Sequence, residues 1–266
     1  MLPGVYEARK KDGAIYYRSS ITYQNKHISL GSFSNEADAH SAYASASTLL
    51  TDTTYTLSDH RLRNSPLSFD KIVTLINFRD NRLYIATPIY LKRGYFSYYL
   101  TSKEELKFDI DDLFYYTRHK IMRRQGHLFV NDYGMQVTIL SRYGIKSHAV
   151  CGKDYLFING DTLDYRYANI KVINPYYGVT RITKKGIYHY LARIHINGNY
   201  TIGVYRSDIK AAIAYNKAID YARKYNVNRN FNENYIEDLS ASEYAEIYTK
   251  IKISSKYIDY LGTITS

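Results

Sequence analysis

One segment of this chain occurs twice, and this internal repeat constrains the fold more than any other feature of the sequence. Residues 4–46 align with residues 178–218. The matching positions are Gly4 and Gly178, Tyr17 and Tyr190, Ile21 and Ile194, Gly31 and Gly203, Phe33 and Tyr205, and Ala39, Ala42, Tyr43 and Ala46 with Ala211, Ala214, Tyr215 and Ala218. The chain is therefore expected to contain two copies of one small substructure.

Each copy has the pattern of a three-stranded antiparallel meander followed by a helix. Short stretches of alternating apolar and polar residues are separated by turn dipeptides. These are Asp12-Gly13 and Gln24-Asn25 in the first copy, and Lys185-Gly186 and Asn197-Gly198 in the second. Asn35 and Ser207 stand where a helix N-cap is expected, and alanines then recur with a tyrosine at helical spacing. Each copy is thus predicted to be a small sheet covered by one helix.

Both copies resemble the APETALA2 or ethylene-response-factor DNA-binding domain. The shared features are Gly-Val, an aromatic residue in the second strand, a Leu-Gly-x-Phe pattern and Ala-x-x-Ala-Tyr. The family's tryptophan is replaced by Tyr17 and Tyr190, and its Leu-Gly is Ile202-Gly203 in the second copy. The resemblance implies that each sheet lies in the major groove of double-stranded DNA, but it leaves open which bases are read.

Strand alternation predicts which side chains would reach the DNA. Residues on the sheet face away from the helix should meet base edges, and basic residues beside the first turn should meet phosphates. In the first copy these are Arg9, Lys10, Lys11, Arg18, Ser20, Thr22, His27 and Ser29. In the second copy they are Arg181, Lys184, Lys185, Arg193, His195, Asn199 and Thr201, with Leu191 on the same face. Arg193 is the strongest base-reading candidate, and solvated surface charge is the alternative for each position.

The charge distribution favours a polyanionic partner and separates the two copies. The formal net charge is +11 at pH 7. Residues 176–232 carry 10 basic and 2 acidic side chains, whereas residues 1–60 carry 5 and 6. An isolated fragment of residues 176–232 is therefore expected to bind DNA measurably, and residues 1–55 weakly.

Between the two copies, the segment FINGDTLDYRYANIKV (residues 157–172) has a second distinctive pattern. It resembles the active-site stretch of HNH homing endonucleases, particularly those that carry an APETALA2-type domain after the nuclease. The family's residues that persist are Ile158, Asn159, Gly160, Asp161, Leu163, Asp164, Arg166 and Asn169. The resemblance covers about 65 residues and implies a central ββα-type domain, with Asp161 and Asp164 as turn and helix-cap residues.

The positions that would perform catalysis in that family do not match. The resemblance implies a metal-binding aspartate, a general-base histidine and an orienting asparagine, and here these are Leu156, Phe157 and Tyr165. Of the positions that would bind metal or take part in catalysis, only one metal-ligand position keeps the family's residue, Asn169. A phenyl ring cannot accept a proton and leucine has no lone pair. We therefore expect no catalytic residue, no metal and no cofactor, and hence no enzyme.

Other side chains near this stretch are weak candidates to replace the missing catalytic and metal-binding groups. Ser141 precedes Arg142 where the family often has a histidine, and His148, Cys151 and Asp154 have no strong metal-ligand spacing. Cys151, which lacks a second cysteine, is expected to be a buried structural thiol. An active endonuclease with displaced catalytic residues remains an alternative.

A basic run surrounds two histidines upstream. Arg118, Lys120, Arg123 and Arg124 accompany His119 and His127. These residues would either contact DNA phosphates or form a solvated helix face.

The sequence predicts an α+β chain of five segments. These are a first APETALA2-like domain (1–55), a linker (56–70), a degenerate HNH-like domain (71–174), a second APETALA2-like domain (175–232) and a helical extension (233–266) that packs against the body or a partner. KIVTLINF, RLYIATPIYL and YFSYYL, within residues 71–100, are expected to be strands.

These features predict a sequence-specific protein that binds the major groove of double-stranded DNA, with transcriptional regulation as the expected role. No apolar run approaches membrane-spanning length, so we expect a cytoplasmic location, nucleoid-associated in a bacterial or phage-encoded protein. The 32 tyrosines leave a further alternative, an inhibitor from a phage or mobile element that acts by binding a protein.

Overall fold

The computed structural model describes residues 1–147 and 149–264, which fall into two compact units. Unit 1 is formed by Met1–Ile139 with Asn159–Asn169, and unit 2 by the described residues of Leu140–Ile158 and Ile170–Ser266. Small antiparallel sheets and helices occur in both units, which confirms the α+β class. The units do not follow the predicted segments, because each repeat shares a unit with part of the central region.

Unit 1 contains three antiparallel sheets, ordered β1-β2-β3, β4-β5-β6 and β7-β8-β9. The strands are β1 (Val5–Arg9), β2 (Ile15–Tyr23), β3 (Lys26–Phe33), β4 (Ile89–Leu91), β5 (Tyr95–Thr101), β6 (Glu104–Asp109), β7 (Met122–Arg124), β8 (His127–Asp132) and β9 (Met135–Thr138). The helices are α1 (Glu36–Thr51), α2 (Phe69–Asn81) and α3 (Leu113–Arg118).

Unit 2 contains a two-stranded sheet, β10-β11, and a three-stranded sheet, β12-β13-β14. The strands are β10 (Tyr155–Phe157), β11 (Ile170–Val172), β12 (Val179–Lys184), β13 (Ile187–His195) and β14 (Asn199–Tyr205). The helices are α4 (Asp208–Lys224), α5 (Ala241–Lys250) and α6 (Ser255–Ile264). Within the described residues of the chain, none of the helices has the length and apolar character to cross a membrane.

The two repeats fold as the sequence predicts. Each forms an antiparallel meander followed by a helix, and the side chains of Asn35 and Ser207 cap α1 and α4 by accepting from backbone amides of the first turn. Each central strand also has a register shift at the same place, between Ser19 and Ser20 in β2 and between Ala192 and Arg193 in β13.

A glycine and a tyrosine lock the helix to the sheet in both repeats. Gly4 and Gly178 have φ values of +75° and +67°, in the left-handed region that glycine adopts without strain. A Cβ atom at either position would overlap a tyrosine ring of the following helix, Tyr43 or Tyr215. The tyrosine ring can lie this close to the backbone only because glycine has no side chain. This explains why a glycine and a tyrosine occur together in both repeats.

The predicted linker is instead part of the core of unit 1. Leu67 is buried in one cluster with Ile28 of β3 and Leu75 of α2. From α2, the buried Arg79 donates to the carbonyl oxygens of Leu49 (3.0 Å), Asp52 (2.8 Å) and Tyr55 (2.9 Å), which satisfies carbonyl groups at the end of α1. The first repeat and α2 therefore share one core.

Two of the three predicted strands after the linker are wrong, entirely or in part. KIVTLINF lies in α2, because every residue from Ile72 to Arg79 is buried and a helix buried on all sides shows no amphipathic period. Ser68 caps this helix by accepting from the Lys71 amide. Of RLYIATPIYL only Ile89–Leu91 is a strand, whereas YFSYYL lies in β5 as predicted.

The predicted helix of a ββα unit is also wrong. Between β10 and β12 the chain is fully described, and it contains one 3-10 turn, Tyr167–Asn169, and strand β11, with no α-helix. The segment that resembles the HNH stretch is therefore a two-stranded hairpin with a long loop.

The C-terminal extension is helical, as predicted, and completes the core of the second repeat. Tyr257 and Leu261 of α6 are buried with Ala218 of α4 and Ile202 of β14. The Tyr257 hydroxyl donates to the Ala218 carbonyl oxygen at 2.9 Å. The extension is thus part of the second repeat's own fold.

Candidate nucleic-acid interface

The sheet of the second repeat presents a row of polar side chains on one face. Strand pairing places Arg193 opposite Thr201 and His195 opposite Asn199, and all four residues are exposed. His195 Nδ1 lies 3.2 Å from Asn199 Oδ1, so the two side chains are linked across the strands. This face contains four of the residues that the sequence predicts to contact DNA, side by side.

The other face of the same sheet fixes this arrangement. Ala192, Ile194 and Ile202 are buried against α4, whose alanines allow close packing. Because neighbouring strand residues point to opposite faces, burial of this set turns Arg193 and His195 outward. Opposite Ala192 and Arg193 the register passes from Gly203 to Thr201, so Ile202 is the extra residue of a bulge in β14, which increases the local strand twist.

The basic residues around the β12–β13 turn divide into two groups. Lys184 and Lys185 are exposed at the turn, as a phosphate-contacting role requires. Arg181 shares its strand face with the buried Val179, and its guanidinium lies 4.4 Å from the centroid of the Tyr188 ring. Arg181 therefore lies on the helix side of the sheet, and not on the outer face.

The first repeat has an equivalent but less basic outer face. Thr22 and His27 are opposite each other and exposed, with Thr22 Oγ1 3.4 Å from His27 Nδ1. This pair occupies the positions of His195 and Asn199 in the second repeat. Ser29 is exposed nearby, and Arg18 donates to the Tyr16 hydroxyl at 3.0 Å.

Two residues of the first repeat are placed differently from their prediction. The sequence predicts that Ser20 faces outward in reach of DNA, but it is only 8% exposed. The same position in the second repeat is the longer, exposed Arg193. Arg9 lies on the strand face of Val5 and pairs with Glu7 at 3.6 Å, which offsets its charge, whereas Lys10 and Lys11 are exposed.

A groove of about 720 Å³ in unit 2 continues the outer face of the second sheet. Arg193, His195 and Asn199 form one wall of the groove, and further lining residues come from outside the repeat. Those that carry positive charge are Lys146, Lys153 and Arg229. We call this feature the basic groove. Sequence reasoning missed these three cations, because they are separated along the chain and belong to no motif.

Two of these cations are held in place by neighbouring groups. Lys146 Nζ lies 4.9 Å from the centroid of the Tyr177 ring, and burial lowers the pKa of this lysine to about 8 although Asp154 opposes the shift. Arg229 Nη2 donates to Asn197 Oδ1 at 2.9 Å, at the β13–β14 turn. Lys153 is exposed.

Asp154 is the acidic residue among the described residues that line the basic groove. Its carboxylate accepts from the Val150 amide at 2.8 Å and from Asn174 Nδ2 at 2.9 Å. The same Asn174 amide donates to the Val179 carbonyl oxygen at the start of β12. The carboxylate therefore joins the segment before β10 to the second repeat, and its charge is partly satisfied by these donors.

The upstream basic run does not lie along one helix face, and acidic side chains pair with part of it. It extends from the end of α3 through the β7–β8 hairpin. Lys120 pairs with Asp70 at 2.7 Å, Arg123 with Glu104 at 2.7 Å, and His119 lies 3.3 Å from Asp132. Acidic partners thus offset much of its charge.

The apolar pair at the positions where the HNH resemblance implies catalytic residues lies in β10. Leu156 and Phe157 are partly buried, and Phe157 pairs with Ile170 of β11. Its ring lies edge-on to Tyr155, with centroids 5.8 Å apart. Neither side chain offers a proton acceptor or a metal ligand.

In unit 1, the residues that persist from the HNH-like pattern bind one another. Asn169 is 6% exposed; its Oδ1 accepts from the Asn159 amide and its Nδ2 donates to the Asp164 carbonyl oxygen, both at 2.8 Å. The buried Asp164 carboxylate accepts from Asn159 Nδ2 at 3.0 Å and from Arg166 at 2.8 and 2.6 Å. These hydrogen bonds lower the pKa of Asp164, with Arg166 as the largest cause.

The same loop is attached to β6. Lys107 Nζ donates to Asp161 Oδ2 at 2.9 Å, and the Lys107 backbone pairs with Leu163 and Tyr165. The Tyr165 ring stacks on Phe108 with centroids 5.5 Å apart. These residues therefore hold the loop together and attach it to β6.

Cys151 is exposed, so its prediction as a buried thiol is wrong. His148 lies outside the described residues. Among the described residues, no three histidine, cysteine, aspartate or glutamate side chains cluster in a way that could hold a metal ion.

No protein-family model matches the sequence, and the comparisons with curated proteins and with solved structures give no match either. The two family resemblances therefore rest on the residues given above.

Proposed function

We propose that this chain is a sequence-specific double-stranded DNA-binding protein, a transcriptional regulator derived from an HNH homing endonuclease that has lost catalysis. The observation that supports it best is the outer face of β12-β13-β14. There, Arg193, His195, Asn199 and Thr201 stand together and exposed beside further positive charge. A sheet of this kind fits the major groove, where arginine donates to guanine and asparagine pairs with adenine.

Loss of catalysis is part of the proposal because of the groups that occupy β10 and the loop after it. Leu156 and Phe157 supply no lone pair for a metal or a proton. Asn169, the remaining candidate ligand, has its amide oxygen and nitrogen engaged by the loop backbone. Incubation of the full chain with supercoiled plasmid and Mg²⁺ or Mn²⁺ should leave the plasmid intact. Divalent-dependent nicking that Phe157→Ala or Asn169→Ala abolishes would contradict this part.

DNA binding is tested by selecting duplexes from a random library with the full chain and then measuring affinity by fluorescence anisotropy. Arg193→Ala should weaken binding to the selected duplex by about 10- to 100-fold, the loss expected for one bidentate base contact. Its effect on unselected duplexes should be smaller, so specificity falls.

The matched control is Lys210→Ala, which also removes one exposed cation. Lys210 lies on α4, which covers the other face of the same sheet, so its loss should change affinity little. A wild-type chain that enriches no sequence, or equal affinities for the Arg193 and Lys210 variants, would overturn the proposal.

A further inference from the structure

The basic groove has the composition of a site for a polyanion. Lys146, Lys153, Arg193 and Arg229 line it together with His195, and the acid among the described lining residues, Asp154, is already bound by an amide and an asparagine. Side-chain amides supply further hydrogen-bond donors, at Asn199, Asn230 and Asn232. This excess of cations in a concave surface raises the local potential and favours an anionic ligand.

The position of the basic groove identifies the kind of polyanion. Arg193, His195 and Asn199 belong both to the groove and to the outer face of the sheet, so a ligand in the groove would be continuous with one on that face. A duplex whose major groove receives the sheet has a phosphodiester strand at each side of the sheet. The groove is therefore placed to receive one of these strands.

We propose that the basic groove binds one phosphodiester strand of the duplex whose bases the second sheet reads, with Lys146, Lys153 and Arg229 as phosphate contacts. This inference rests on the proposed function and extends it. The DNA site would be built from the second repeat together with residues from the segment before β10 and from the segment after α4. The sheet supplies sequence discrimination, whereas the groove supplies affinity that is independent of sequence.

The experiment compares the full chain with a triple variant, Lys146→Met, Lys153→Ala and Arg229→Ala. Methionine keeps an apolar stem over Tyr177, and the other two positions are exposed, so the fold should persist; thermal unfolding by circular dichroism checks this. The plot of log affinity against log salt has a negative slope, and removing three phosphate contacts should reduce the magnitude of this slope by about 2.7. Between 50 and 200 mM salt, the loss of affinity should then be about 40-fold smaller than for the wild type.

A second arm neutralises individual phosphates of the selected duplex with methylphosphonates. Wild-type affinity should fall at two or three consecutive phosphates on one strand, and the triple variant should be insensitive at those same positions. This non-additivity identifies direct contact. Lys210→Ala should retain the wild-type sensitivity.

The outcomes separate the two proposals. If the wild type selects a sequence and Arg193→Ala weakens it, but the triple variant keeps the wild-type salt slope and methylphosphonate pattern, the groove contact is overturned and the proposed function stands. If the triple variant loses affinity for single-stranded RNA or for an acidic protein but not for duplex DNA, the groove inference is also overturned. Absence of duplex binding by the wild type would overturn both.

Discussion

Gly178→Ala should destabilise the second repeat far more than a glycine substitution at an open turn. The residue has φ +67°, and an added Cβ would overlap the Tyr215 ring and lie 2.6 Å from the Arg193 carbonyl oxygen. A left-handed conformation costs a residue with a Cβ about 1 to 2 kcal/mol. Inserting a methyl group into a packed contact adds about 1 to 3 kcal/mol. The sum is about 2 to 5 kcal/mol, a large fraction of the roughly 5 to 15 kcal/mol stability typical of a domain.

The matched control is Gly186→Ala. Gly186 has nearly the same conformation, with φ +75°, but no atom lies within 4 Å of the place that an added Cβ would occupy. Only the conformational cost of about 1 to 2 kcal/mol applies there. The difference between the two variants isolates the contact between the glycine and the tyrosine ring.

Backbone amide hydrogen exchange on peptides from β13 is the suitable assay, because a chain of two units does not guarantee a single global transition. Exchange of the β13 amides should be at least about 30-fold faster in Gly178→Ala than in the wild type, which corresponds to about 2 kcal/mol. DNA affinity should fall as well, since the Arg193 amide donates to the Gly178 carbonyl oxygen at 2.7 Å. Equal protection in the two alanine variants would refute the reasoning.

Three further changes have defined outcomes. Burial lowers the pKa of Lys146 to about 8, against the opposing effect of Asp154; the ammonium also lies beside the Tyr177 ring. A bound phosphate would favour the charged form of Lys146, so above pH 8 binding would first require protonation of this lysine. Duplex affinity should therefore fall by about tenfold between pH 7 and 9, and Lys146→Met should remove this dependence. Asn169→Leu leaves buried backbone groups unpaired, so the local stability of the loop, measured by amide hydrogen exchange, should fall by roughly 1 to 3 kcal/mol for each group, whereas Asn131→Leu, at an exposed position, should change it little. A fragment of residues 176–232 lacks α6 and should melt, by circular dichroism, well below a fragment of residues 176–264; equal melting would contradict the role of Tyr257 in this core.

That truncation revises an expectation drawn from the sequence. The repeat ends near residue 218, so residues 176–232 look like a complete domain. The structure shows that Tyr257 and Leu261 are buried in one cluster with the alanines of α4 and with the sheet, and that the Tyr257 hydroxyl donates to the Ala218 carbonyl oxygen. An alanine face is recognisable in the sequence, but what packs against it is not, because any apolar segment of suitable length would satisfy the same pattern.

The candidate site was predictable to the extent that it is local. The turn dipeptides, the caps Asn35 and Ser207 and the alternation that turns Arg193 outward each depend on a few adjacent residues. By contrast, Ser20, which alternation turns outward, is buried at the bulge, and Arg181, which the sequence predicts to meet phosphates because it lies beside the first turn, is on the helix side of the sheet.

By itself, the sequence determined the two sheet-and-helix repeats, the contrast in their charge and the apolar character of Leu156 and Phe157. These features depend on single residues or on short periodic patterns of residues. Only the tertiary structure decided that α2 is a helix in the core of the first repeat and that Asn169 holds a loop. It also brought Lys146, Lys153 and Arg229 together beside the second sheet. Such outcomes depend on contacts between residues far apart along the chain, which no local pattern records.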